Sequence, residues 1–458
     1  MIRRGGLALG LALAPAGALA CALPPSIILT LPTGHYMAGA AAVVVLTALW
    51  GGAARRLPVF RARLVLERPV LLPETLTSYL SFLALMGLVF LGFTGTRDPM
   101  HNLLTLVFWT GIWVALPLAS LIFGNLWRAL NPWTGPVRLV RHLIGRTGGI
   151  GLSRLGHWPA VAGLLAFLWF ELVALSPDDP LVLAQVIGAY WLVVFLLAVL
   201  EGEHWVQEGE FMTLYLGFLA RIAPLWLEID GRRARLYAGL PGTQILRLPP
   251  LTPSAVIFVT LALAGLTFDG LMETFFWMAL IGENPLEFTG RSAVQGVNTL
   301  GLLAVWALTA GSILGALALG RRLGRHTGPF WASAGPAMLA FLAIAAGYHA
   351  AHYLVTLLTS GQYVLAAMND PFFRGDALLG LEPFFVGFGF LTDQAAMTAI
   401  WNSQFALILG AHLLALLLAL HLSARLGDTR AIAHLPMTAL MVGYTVLGLW
   451  LLSSPRGV

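Results

Sequence analysis

A chain of 458 residues that is 58% hydrophobic and only 10% charged lies far outside the soluble range, where charged residues alone make up about a quarter of the composition. Its formal charge of +5 comes from 26 basic residues that are all arginine, a bias of coding rather than a nucleic-acid signal. The single cysteine, Cys21, excludes an internal disulfide framework and a cysteine-based zinc site. What remains is an all-α, polytopic transmembrane helix bundle whose main partner is the lipid bilayer.

Residues 1–21 begin Met-Ile-Arg-Arg, continue as an Ala/Leu run from Leu7 and reach Ala18-Leu19-Ala20-Cys21. A basic start, a short apolar stretch and small residues at the end read as a secretory signal peptide. An uncleaved anchor and a lipid-modified Cys21 are the alternatives. After it come ten apolar runs of spanning length, at 36–54, 75–94, 103–123, 157–176, 181–200, 253–279, 296–320, 330–358, 396–424 and 435–452.

The connectors alternate in charge. Arg55, Arg56, Arg61, Arg63 and Arg68 fill the first, Arg128, Arg138, Arg141, Arg146 and Arg154 the third, and Arg221, Arg232, Arg233, Arg235 and Arg247 the fifth. Arg321, Arg322 and Arg325 follow in the seventh, and Arg425 and Arg430 in the ninth, whereas the even connectors hold only Arg97, Arg291 and Arg374. The positive-inside rule makes the odd connectors cytoplasmic and puts both mature termini outside. The chain divides into a five-helix part at 36–200, a cytoplasmic connector at 201–252 and a second five-helix part at 253–452. Within the connector, Phe211 to Leu227 is apolar but broken by Pro224, which predicts an interfacial or half-inserted helix. Its start, Glu201-Gly202-Glu203-His204, reads as a solvated face rather than a metal cluster. The outward connector Ser360–Gln394 is rich in Phe and Gly and suits a cap over a cavity mouth or a set of interfacial anchors.

Polar residues gather in the second part. In Gly347-Tyr348-His349-Ala350-Ala351-His352-Tyr353 two imidazoles stand at i and i+3, and Asp269 and Glu273 stand at i and i+4 in the run at 253–279. Both spacings put a pair on one helix face. The predicted topology brings the two pairs to one depth, and His412 close to it, with Glu171 near an outer helix end; His421 faces away. Ionisable groups at membrane depth are costly, so a site is the default reading. Three chemistries suit these residues. A zinc, iron or manganese ion held by His349, His352, His412, Asp269 and Glu273 would activate water, with Asp269 or Glu273 as general base. The same residues would relay protons in a proton- or metal-conducting transporter. A haem b between His412 and either His349 or His352 would make a membrane redox subunit.

Gly124-Asn125-Leu126-Trp127-Arg128 with Asn131-Pro132-Trp133, Phe268-Asp269-Gly270, Tyr348-His349-Ala350-Ala351-His352-Tyr353, Gly410-Ala411-His412, Pro436-Met437 and Tyr444-Thr445 together resemble the bacterial multi-spanning family labelled fenitrothion hydrolase. The resemblance runs from about Gly124 to Trp450. It implies a bacterial inner-membrane protein that hydrolyses an organophosphate phosphotriester, hence a lipophilic small-molecule substrate, and it supplies no residue roles. It agrees in class with a metal-dependent intramembrane hydrolase. Taken alone, the Gly124–Trp133 segment also reads as an ordinary helix end with Trp anchors and a Pro-directed turn.

Overall fold

The computed structural model describes residues 33–53, 59–287, 290–382, 385–425 and 431–455; the signal segment and Cys21 lie outside them. In chain order the elements are α1 (Thr33–Ala53), β1 (Arg63–Pro69), α2 (Glu74–Thr94), α3 (Leu103–Phe123), α4 (Thr134–Leu143), α5 (Trp158–Leu172), α6 (Pro180–Glu201) and α7 (Phe211–Leu219). Then follow β2 (Leu225–Asp230), β3 (Arg233–Ala238), α8 (Pro253–Met272), α9 (Phe275–Leu280), α10 (Arg291–Gly324), α11 (Phe330–Asn369), α12 (Gln394–Arg425) and α13 (Ala431–Ser453). A helix stands at each of the ten apolar runs. Among the described residues eight helices are long and apolar enough to cross a membrane; the other two are α1, apolar over Gly34–Ala48, and the 15-residue α5. The chain is a mostly helical, multi-pass membrane protein.

Helix ends follow local chemistry. The Asn102 side chain accepts from the Leu104 N–H and donates to the Leu91 and Thr96 carbonyls, so one residue starts α3 and fastens it to the end of α2. Asp179 before Pro180 and Thr252 before Pro253 start α6 and α8 with a side-chain acceptor and a proline that needs no partner for its nitrogen. The run predicted to 279 stops at Met272 instead, because Thr274 accepts from the Trp277 N–H and opens the new helix α9. Pro336 lies within α11, and the regular ladder lapses between Met338 and Phe341; beyond this the helix runs past its predicted end at Leu358 to Asn369, taking in the first part of the outward connector.

Two helices make the centre. In α8 and α11 the spanning windows are 78% and 72% buried, against 17% in α10 at the rim. α8 packs on α5, α10 and α11, and α11 packs on α3 and α12. Small residues permit the approach. A Cβ on Gly347 of α11 would lie 2.2 Å from the Ala411 Cβ of α12, and one on Gly265 of α8 would lie 2.6 Å from Leu168 of α5. Within α3, Val107–Ala115 is π-helical, a widened geometry that occurs often at functional sites.

The short helix α7 departs from the interfacial expectation. Phe211 to Leu216 are all buried, packed against α5 and α11. Its sequence has no charged face to turn toward water, and only Gly217 and Phe218 are partly exposed. Its free N-terminal N–H groups are satisfied by the buried Glu210 carboxylate, which accepts from Met212 and Thr213 at 2.8 and 2.6 Å. A non-spanning helix inside a bundle requires this.

A three-stranded antiparallel sheet, in the order β1-β3-β2, joins the first and fifth connectors and adds a β element to the expected all-α bundle. The signal for it was present: Asp230-Gly231 between the alternating Leu225–Ile229 and Arg233–Tyr237 is a hairpin pattern, with Gly231 at a φ of 59°. Glu67 on β1 pairs with Arg233 and Arg235 on β3 at 2.5 and 3.1 Å, so part of the arginine excess serves the sheet.

Candidate functional site

The site is built around Tyr353 of α11. Its hydroxyl accepts from Trp113 Nε1 of α3 at 2.9 Å and stands within hydrogen-bond distance of both Glu171 Oε1 of α5, at 3.0 Å, and Asp269 Oδ2 of α8, at 3.2 Å, with one proton to donate to either. Asp269 Oδ2 also meets His352 Nε2 at 2.7 Å. Three helices, α5, α8 and α11, thus converge on one hydrogen-bonded chain, Glu171–Tyr353–Asp269–His352, and Trp113 of α3 joins it at Tyr353. Glu171 Oε2 is buried and has no hydrogen-bond partner. Beside it, Glu171, Asp269, Tyr353, Trp113, Tyr215 and Gly265 border a cavity of about 10 Å³, at the lower limit for holding one water. Arg291 of α10 donates to the Glu171 and Ala174 carbonyls at 2.9 and 3.1 Å and closes the end of α5.

His349 is fully buried, with Nδ1 2.9 Å from the Tyr215 hydroxyl and its ring edge-on to Trp113. The rings of His349 and His352 both lie 4.7 Å from the Tyr353 ring. The predicted pair is therefore divided by its neighbour: His352 engages Asp269, and His349 engages α7. His412 is also fully buried, but its Nδ1 returns to the Ile408 carbonyl of its own helix at 2.8 Å, and its ring stands with Tyr348 and Tyr444. Tyr348 donates to the Tyr444 carbonyl, and Tyr444 shares a 2.7 Å hydrogen bond with Thr267, which makes a second polar cluster between α8, α11 and α13. Nε2 of His349 and of His412 are buried without hydrogen-bond partners.

α8 ends at Met272, and Glu273 is its half-buried C-cap. His421 packs on Phe60 and bonds its own helix at Leu417. Among the described residues no three His, Cys, Asp or Glu side chains form a group able to hold a metal ion. The structure brings Asp269 and His352 together, sets His349 alongside, and seats His412 in the second cluster with Tyr348 and Tyr444. Tyr353, Trp113 and Tyr215 were missed by sequence reasoning. Each had a signal, since a phenol or indole inside an apolar helix must find a hydrogen-bond partner.

The other polar segments hydrogen-bond to the elements around them. Trp127 Nε1 donates to Thr213, which donates to Glu210; Trp133 Nε1 donates to the Trp191 carbonyl, and Tyr190 donates to Glu210. The Gly124–Trp133 segment thus seats α7. Glu201 accepts from the N–H groups of Ile150, Gly151, Leu152 and Ser153, a backbone clasp rather than a metal ligand.

No family model, no curated protein and no solved structure matches this chain.

Proposed function

We propose that the chain is a proton-conducting transporter of a bacterial inner membrane, with Glu171, Tyr353, Asp269 and His352 as its relay. The reading rests on the Tyr353 hydroxyl. It has one proton, yet its oxygen is within hydrogen-bond distance of two carboxylates and an indole N–H. The hydroxyl donates to one carboxylate at a time. The other contact is satisfied when that carboxyl holds a proton and donates it to the phenol oxygen. Exchanging the two arrangements carries a proton from α5 to α8 without moving a heavy atom, and His352 Nε2, beside Asp269, takes it onward as imidazolium. Buried ionisable residues joined in this way are the usual material of proton relays. In this reading the arginine distribution sets both mature termini outside.

A hydrolase acting on a lipophilic phosphoester with zinc, iron or manganese would need roughly 300 Å³ or more for its substrate, and the cavity beside Asp269 and Glu171 is about 10 Å³. The discriminating experiment uses liposomes holding a pH-sensitive dye and a potassium diffusion potential. Wild-type protein should acidify the interior, and Asp269→Asn and Tyr353→Phe should each abolish most of that flux. Flux no greater than in protein-free liposomes would sink the proposal. Ester turnover by metal-supplemented protein without flux would restore the hydrolase, and a Soret band in the visible spectrum would replace both with a haem subunit.

A further inference from the structure

Where α4 meets the end of α6, an open cleft of about 520 Å³ lies among Arg138, Arg141, His142, Arg146, His204 and Trp205, within the size range of small-molecule sites. Two carboxylates also line it, and both are engaged. Glu201 is held by the four backbone N–H groups already described and by the Ser153 hydroxyl, while Glu203 pairs with Arg138 at 2.9 Å. Arg141 and Arg146 have no carboxylate. Arg141 donates to the Val199 and Gly148 carbonyls, and Arg146 donates through Nε to the Leu200 carbonyl. Two guanidinium charges therefore face the cleft region without a counter-ion among the described residues. The Trp205 indole N–H is buried and has no acceptor.

The surroundings identify the anion. Leu139, Leu143, Ile144 and Ile150 are interleaved with these arginines, and they are 46%, 72%, 58% and 54% exposed. Glu201 ends the apolar span of α6, so the cleft lies where hydrocarbon gives way to water. Guanidinium charges held by backbone carbonyls but lacking a carboxylate among the described residues, beside exposed aliphatic side chains at that depth, match an amphiphile with a phosphate head. We propose that this cleft binds the headgroup of an anionic phospholipid, with its phosphate oxygens on Arg141 and Arg146 and its acyl chains along Leu139 and Leu143. The proposal is independent of the proton relay.

The test uses the purified full chain in detergent, titrated with phosphatidylglycerol, phosphatidylcholine or inorganic phosphate, and read by native mass spectrometry and by thermal unfolding. Phosphatidylglycerol should bind about tenfold more tightly than phosphatidylcholine, and Arg146→Gln should weaken it about fivefold, the scale of one interfacial cation. Arg146→Lys, which keeps the charge but loses the fork, should fall between. Equal affinity for both lipids, or no effect of Arg146→Gln, overturns the proposal. A response to inorganic phosphate as large as that to phosphatidylglycerol also overturns it, by making this a site for free phosphate. Should Arg146→Gln fail to fold, Leu143→Asn decides: it should weaken phosphatidylglycerol binding and leave lipid-free unfolding unchanged, and unchanged binding counts against a lipid.

Discussion

Tyr353 joins three helices through one hydroxyl, which contacts Trp113, Glu171 and Asp269. Removing its hydroxyl strands the buried Trp113 N–H and takes a partner from two carboxylates at once. Tyr353→Phe should therefore cost about 1–3 kcal/mol, the penalty of a buried polar group left unsatisfied, in thermal unfolding as well as in proton flux. Trp113→Phe removes the donor and leaves the Tyr353 contacts with the carboxylates intact, so it should cost less, and the double variant should cost less than the sum, as partners in one network do. Additive effects would show that the two side chains act separately. The metal reading is tested at the same scale: protein expressed with zinc, iron and manganese should hold no stoichiometric metal by elemental analysis. Stoichiometric metal that His352→Ala removes would move the site from relay to ligand set. His421→Ala, on a side chain that packs against Phe60, should leave both flux and metal content unchanged.

Among the elements, the contact between α11 and α12 is set by one missing side chain. A methyl group on Gly347 would meet Ala411 at 2.2 Å and the Leu407 carbonyl at 3.0 Å, so Gly347→Ala must push the helices apart, at about 1–3 kcal/mol for overpacking. Ala411→Gly should restore part of that loss, and failure to do so would place the strain elsewhere. The sheet has a pH dependence with a definite sign. Hydrogen bonds from Arg233 and then Arg235 hold the Glu67 carboxyl below its usual range. A carboxyl depressed in the folded state contributes stability that is fully present above its unfolded pKa and is lost as pH falls through its folded value, hence on acidification below about pH 4. Amide-exchange protection of β1 should fall in that range, and Glu67→Gln should show at neutral pH the protection that wild type shows in acid. Protection independent of pH would remove the ion pairs from the account.

For the whole molecule, reporter fusions at Gly231, in the β2–β3 hairpin, and at Asp376, beyond α11, should report opposite sides of the membrane; the same side for both would overturn the topology. The membrane class and a helix at each of the ten apolar runs were readable in the chain, because apolar runs of about twenty residues are what hydrocarbon demands of a crossing regardless of what packs around them; the ends of the runs at 253–279 and 330–358 were not. Asp269, His349 and His352 were readable for a related reason, since an ionisable group inside an apolar run is conspicuous wherever it lies. The sheet was signalled by Asp230-Gly231 but masked by an arginine pattern that topology alone seemed to explain. Other features depended on three dimensions. That α8 stops before Glu273 is settled by the cap at Thr274, and that α7 is buried is settled by neighbours far away in the chain. The division of His349 from His352 follows from which helix each one meets, Tyr215 of α7 for the first and Asp269 of α8 for the second. Periodicity can place two side chains on one helix face; only the packing of other helices against that face decides what each side chain touches, and therefore that Tyr353, beside both histidines, links Trp113, Glu171 and Asp269.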